Sequence, residues 1–239
     1  MDLDGVKDIV LYHGDLLFEN AERGIICGSS SSGKTHLTEN LVRKYAHRFH
    51  KIVICGNRNK LLDFPETKHL SELYEGDDVI YDPFRENDVY DLKKKHERDN
   101  KYLLLILDDL METVCTSHTV SKIYSKGRHC GISILILTQS YFPTGQGSKN
   151  VFIQIKNNTT FQIFTKTRSY GEINNIASRM ECDKRGKEFF LSLFNKYVQE
   201  GRYGYLMVSL DVSDGRLRYS NNILGEDGSP YPTIHPRRQ

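Results

Sequence analysis

The chain has 239 residues, 38% of them hydrophobic, enough to bury a full core in one large domain or two small ones. Its formal net charge of +2 and pI near 8.2 are too mild to identify a nucleic-acid partner by composition, and they exclude none. The longest apolar runs, 103–107 and 132–137, are strand-length and far short of the ~20 residues that cross a bilayer, so no membrane segment is expected. The acidic start Met1-Asp2-Leu3-Asp4 is unlike a secretory leader, so a reducing compartment is expected. Five scattered cysteines without a Cys-x-x-Cys pair agree, arguing against a zinc site or a disulfide framework.

In chain order, residues 24–27 form an apolar strand that opens into Gly28-Ser29-Ser30-Ser31-Ser32-Gly33-Lys34-Thr35, a complete G-x-x-x-x-G-K-[ST] phosphate loop. Helical spacing follows over 36–46. A triphosphate needs converging backbone N–H groups, a lysine bridging its outer phosphates and a hydroxyl on Mg²⁺, and this strand–loop–helix context supplies all three. ATP and Mg²⁺ are the expected cofactors, with Thr35 as one metal ligand.

Residues 51–55 read as the next strand, 79–81 as a short one stopped at Asp82-Pro83, and 85–98 as a polar helix with Lys93-Lys94-Lys95 on a solvated face. The strand 102–107 then runs into Asp108-Asp109. Carboxylates emerging at the C-terminal end of a buried strand stand where open α/β sheets place their ligands: Asp108 suits the metal, and Asp109 suits polarisation of the attacking water. Helical spacing over 119–129 ends in Lys126-Gly127-Arg128-His129. An arginine there can be a finger for a neighbouring subunit's phosphates, or a structural partner for an acidic neighbour. Strand 132–137 ends in Thr138-Gln139-Ser140, which makes Gln139 a candidate γ-phosphate sensor. A strand over 160–164, helices over 171–180 and 186–199, and a C-terminal β-hairpin of 205–210 with 216–219 around Asp214-Gly215 complete the domain.

Strands alternating with helices predict an α/β fold with a mostly parallel sheet and flanking helices. One domain is expected over 1–224, followed by a Gly-, Pro- and charge-rich tail, 225–239, that is loosely held.

The loop Gly28–Thr35, the strand ending in Asp108-Asp109, the Gly127-Arg128-His129 segment and the terminal Gln139 together resemble the FtsK–HerA superfamily of P-loop NTPases. They are most similar to its viral genome-packaging ATPases, found in poxviruses, other large DNA viruses, virophages and Maverick/Polinton elements; the resemblance covers residues 20–180. It implies a RecA/FtsK-like fold and a homo-oligomeric ring, usually a hexamer, that hydrolyses ATP at subunit boundaries and draws double-stranded DNA into a preformed capsid. Capsid or portal-vertex proteins would be partners, at virion assembly sites in the host cytoplasm or nucleus. Carried onto this chain, the family's pattern gives Lys34 and Thr35 to phosphate and Mg²⁺, Asp108 to the metal, Asp109 to the base, Gln139 to the sensor and Arg128 to the trans arginine. Asp109 stands where many members have glutamate, and its shorter side chain must approach water differently.

Other readings fit less well. A GTPase needs Asn-Lys-x-Asp late in the chain, whereas Asn59-Lys60-Leu61-Leu62-Asp63 has one residue too many and precedes the strand carboxylates. A nucleoside or nucleotide kinase needs an arginine-rich lid, for which Lys166-Thr167-Arg168 is a faint counterpart. A non-catalytic assembly protein gives no reason for Asp109, Gln139 and Arg128 together.

Overall fold

The computed structural model describes residues 7–12, 17–18, 20–56, 79–82, 102–142, 148–180, 183–200, 203–210, 217–224 and 231–236. In chain order these form β1 (Lys7–Tyr12), β2 (Arg23–Cys27), α1 (Lys34–Tyr45), β3 (Phe49–Cys55), β4 (Val79–Asp82), β5 (Tyr102–Asp108), α2 (Met111–Thr116) and α3 (His118–Lys126). They continue with β6 (Ile132–Thr138), α4 (Ser148–Asn157), β7 (Phe161–Thr165), α5 (Tyr170–Met180), α6 (Lys184–Phe194), β8 (Tyr205–Leu210), β9 (Leu217–Ser220) and β10 (Tyr231–Pro236).

Among the described residues the strands form one sheet in the order β1-β10-β9-β8-β7-β2-β6-β5-β3-β4. From β7 to β4 every pairing is parallel, and from β7 to β1 every pairing is antiparallel. Among the described connections, α1 links β2 to β3, α2 and α3 link β5 to β6, and α4 links β6 to β7, as strands of a parallel half require, while α5 and α6 carry the chain from β7 to its antiparallel neighbour β8.

The continuous apolar runs reflect burial on both faces. Leu103, Leu105 and Leu107 of β5 join a core with residues of α2 to α6, including Val114, Ile123, Phe152, Ile176 and Phe190. Leu104 and Ile106 join a second core with Leu37, Leu41, Val42 and Tyr45 of α1. Those four α1 positions recur at helical spacing and set the buried face, and Arg43 and Lys44 in the last turn complement the helix dipole. Phe18 closes the α1 layer, its ring set edge-on to Tyr45, Phe49 and Phe161 at centroid distances of 5.5, 5.2 and 5.8 Å.

Side-chain caps start two helices. The Ser117 hydroxyl accepts from Val120 N at 3.1 Å ahead of α3, and the Asp183 carboxylate accepts from Gly186 N at 2.7 Å ahead of α6. The predicted helix 186–199 divides into α6 and a π-helical turn, Asn195–Gln199.

The sequence predicts neither β1, α2 nor α4. In α4 the run Val151-Phe152-Ile153-Gln154-Ile155 is rich in the β-branched and aromatic residues that favour strands, but Phe152 and Ile155 enter the core three residues apart while Ile153 stays exposed. Tertiary burial there overrides β-branched propensity. The expectation of a loose tail is corrected for residues 231–236: β10 pairs with all six residues of β1, from Tyr12 opposite Tyr231 to Lys7 opposite Pro236. A strand this far from its partner in sequence carries no local signal of the pairing. The predicted helix 85–98, with its lysine run, and the Asn59–Asp63 segment lie outside the described residues. Cys27, Cys55 and Cys115 are buried, as expected for small core residues.

Candidate active site

Register brings the motifs to one sheet edge. Cys27 lies beside Thr138 of β6 and Phe164 of β7, and Asp108 beside Leu137, so the phosphate loop, the carboxylates, Gln139 and Thr165 all emerge at the C-terminal ends of parallel strands. Strand β6 is inserted between the loop strand β2 and the carboxylate strand β5.

The loop is held by bonds to both neighbouring strands. Gly28 N donates to Thr138 O at 3.1 Å, and Ser29 donates through both its N–H and its hydroxyl to Lys166 O at 2.9 Å. Ser32 Oγ and Thr165 Oγ1 share a buried hydrogen bond of 2.7 Å, and Thr165 Oγ1 also donates to Cys27 O at 3.3 Å. Gly28 is required by this packing, since a Cβ there would overlap the Thr165 hydroxyl and stand 2.9 Å from Ser32 Oγ. Gly33 is required by its backbone, with φ of 91° just before α1, and Ser31 turns the loop with φ of 61°. Lys34 Nζ donates to the carbonyls of Gly28 at 2.6 Å and Ser29 at 2.9 Å, which arches the side chain over the loop. Thr35 lies in the first turn of α1.

Burial pushes the Lys34 ammonium below its ordinary pKa, and nearby acidic groups oppose that shift. The thiol of Cys27 is itself pushed far up, by burial first and Glu172 second, so it stays neutral; the charges that favour the ammonium are Asp108 and Asp109. Those two carboxylates thus favour a cation where phosphate oxygens would sit.

Asp109 leaves the strand in the left-handed region, φ 54°, with its N–H donating to Leu137 O at 3.2 Å. Aspartate tolerates this backbone better than most residues, and strain of this kind collects at functional sites. The turn brings its carboxylate to Gln139, whose Nε2 donates to Asp109 Oδ2 at 3.0 Å. Asp109 and Gln139, the candidate base and the candidate sensor, are therefore in direct contact, and the amide orients the carboxylate.

Residues without a sequence signal support this pair. Glu172, in the first turn of α5, accepts from Ser140 Oγ at 3.0 Å and Tyr141 N at 2.7 Å through Oε1, and from Thr167 Oγ1 at 3.3 Å through Oε2. It ties the segment after Gln139 to the segment after β7. Thr165 and Lys166 hold the loop itself; a hydroxyl residue ending a strand is their only trace in the sequence. The segment 166–168 is no free lid: the Lys166 carbonyl holds Ser29, its ammonium donates to Gln199 O at 3.1 Å, and Thr167 is bonded to Glu172.

Arg128 is not brought to this edge. It lies in the 3₁₀ turn Gly127–Cys130 before β6, at the opposite end of the strand that carries Gln139. Seven strand residues at about 3.3 Å each put roughly 20 Å between those two ends. It therefore stands apart from the loop of its own subunit.

No helix among the described residues is long and apolar enough to cross a membrane. No curated protein matches the chain in sequence. Among solved structures, the DNA-packaging ATPase B204 of Sulfolobus turreted icosahedral virus superposes with a TM-score of 0.56 at 18% identity, over 84% of this chain and 97% of its own. The genome packaging NTPase B204 of Sulfolobus turreted icosahedral virus 2, in complex with ATP-gammaS, gives 0.56 at 17% identity over 84% and 97%. At such identities the likeness shows the fold, a P-loop ATPase α/β domain. The family described as Poxvirus A32 protein matches residues 11–221, a span that contains the loop, both carboxylates, Arg128 and Gln139. The motif-based resemblance is thereby borne out, and the chain belongs to the poxvirus A32 protein family.

Proposed function

We propose that this chain is an ATP-hydrolysing motor that moves double-stranded DNA into a preformed viral capsid. The observation that carries the reading is the convergence of Lys34, Asp108, Asp109 and Gln139 on one sheet edge, with Gln139 bonded to Asp109. The family assignment and the B204 fold support the packaging role.

Hydrolysis follows from the geometry. The Lys34 ammonium exchanges its two carbonyl contacts for phosphate oxygens, joining the loop N–H groups. Thr35 and Asp108 offer hard oxygen donors, the kind Mg²⁺ prefers, and fit that ion; when bound, it neutralises charge on the outer phosphates. Asp109, oriented by Gln139, accepts a proton from water as the water oxygen attacks the γ-phosphorus and the bond to the β–γ bridging oxygen breaks, releasing ADP and phosphate. Gln139 bonds the base and adjoins the γ-phosphate position, so it links the state of the nucleotide to β6.

Arg128 lies far from its own loop and is assigned to a neighbouring subunit's site in a ring, usually hexameric in such motors. Capsid or portal-vertex proteins are the further partners, at virion assembly sites in the host cytoplasm or nucleus.

The test is ATPase activity with and without double-stranded DNA, for the parent and for Lys34→Ala. DNA should stimulate the parent, and Lys34→Ala should abolish turnover and weaken ATP binding while keeping the parental circular dichroism. Phosphate transfer to a nucleoside or nucleotide acceptor, with no response to DNA, would move the protein to the kinases.

A further inference from the structure

Tyr203 stands on the phosphate loop without entering the core. A Cβ placed on Gly33 would be 3.0 Å from Tyr203 Cδ1 and 3.6 Å from its Cβ and Cγ, so the tyrosine rests on the loop at the residue before Lys34. Its ring is 6.2 Å from that of His36, tilted by 48°, and Tyr203 remains 54% exposed. An exposed aromatic side chain is thereby held against the phosphate-loop backbone, within reach of a ligand seated in the loop.

The topology says which end of a nucleotide would reach it. The carboxylates and Gln139 lie on β5 and β6, to one side of β2, and hold the γ-phosphate end. Tyr203 lies on the other side: it precedes β8 by two residues, and Tyr205 pairs with Thr165 at the end of β7. A triphosphate seated in the loop with its terminal phosphate toward Asp109 directs its nucleoside end toward β7 and β8. Tyr203 is a large exposed aromatic residue at that end and touches the phosphate loop itself.

The position is also fixed by its surroundings. A Cβ on Gly204 would overlap Tyr197 O and stand 3.0 Å from Val198 Cα, so the chain at Gly204 is packed against the π-helical turn Asn195–Gln199. Lys166 Nζ ties the same turn to the loop support through Gln199 O. Single π-turns inside helices recur at functional sites, and a stacking platform gains affinity from being held in place.

We propose that Tyr203, flanked by His36, is a platform on which the purine base of the bound nucleoside triphosphate stacks. The proposal rests on the nucleotide-site reading above and adds the base subsite to it. An aromatic face recognises the π-face of a base without hydrogen-bond readout, so the platform supplies affinity more than discrimination between purines.

The experiment is calorimetric titration of the full chain with Mg²⁺-ATP and, separately, with inorganic tripolyphosphate, which has the phosphates but no base. Tyr203→Ala should weaken ATP about tenfold and leave tripolyphosphate unchanged, and Tyr203→Phe should restore ATP binding. Equal weakening of both ligands by Tyr203→Ala would reduce the tyrosine to a buttress of the loop and overturn the proposal, as would parental ATP affinity. Lys34→Ala separates the two readings: it should weaken both ligands, and if it weakens neither, it is the phosphate-loop assignment that fails.

Discussion

The hydrogen bond between Ser32 and Thr165 offers a measurable test of how the loop is held. Both residues are nearly inaccessible, at 5% and 3%, and their oxygens are 2.7 Å apart. Thr165→Val preserves shape and removes two bonds at once, those to Ser32 Oγ and Cys27 O. At about 1 kcal/mol net for each neutral bond, the substitution should cost about 2 kcal/mol, and more if the Ser32 hydroxyl finds no new partner. Ser32→Ala should cost about 1 kcal/mol, because Thr165 keeps the Cys27 carbonyl as its acceptor. In the double variant the shared bond is lost only once, so the combined cost should fall short of the sum by about 1 kcal/mol. The same pair pins the loop for nucleotide, and its loss should raise the ATP dissociation constant about fivefold. Urea unfolding at constant slope gives the stability cycle, and calorimetry gives the affinities. Strictly additive single effects, or parental ATP affinity in Thr165→Val, would refute the view that this bond positions the loop.

Three further outcomes are expected. Asp108→Asn should lower Mg²⁺-dependent ATP binding and turnover together, whereas Asp109→Asn should keep ATP yet lose turnover; steady-state kinetics with binding titrations separates them, and parental turnover in Asp109→Asn would remove it as the base. Arg128→Ala should bind ATP without hydrolysing it, and verified mixed assemblies with Lys34→Ala should regain activity; no recovery in such assemblies means that the arginine does not act in trans. Lys156 is half-buried among the rings of Tyr141, Phe142 and Phe152, with Nζ 4.5, 4.9 and 5.1 Å from their centroids, and burial first, then Arg179, lowers it from 10.5 to about 8. Between those values the unfolded chain binds more protons, so this residue's contribution to stability rises with pH from about 8 to 10.5; thermal melts across that window should show a smaller rise in Lys156→Met than in the parent, muted by solvent screening, and equal slopes would contradict the assignment.

The phosphate loop was fully legible in the sequence because its chemistry is contiguous: eight residues between a strand and a helix carry the backbone donors, the lysine and the hydroxyl. Asp108 and Asp109 were legible for a similar reason, since an apolar run long enough for one strand and then two carboxylates specifies an edge of the sheet. The runs in β5 and β6 also declare burial on both faces, but burial is the same for any order of strands. Only the tertiary structure inserts β6 between β2 and β5, and that insertion is what lets Gln139 reach Asp109 across 30 positions. The same holds for Thr165, which meets Ser32 from 133 positions away, and for Tyr203 on Gly33. The pairing of β1 with β10 joins the two ends of the described chain, and no local propensity records it. Local chemistry marks which residues are candidates for holding a triphosphate; hydrogen bonds between distant strands, formed only when both cores close, decide which of them are brought together.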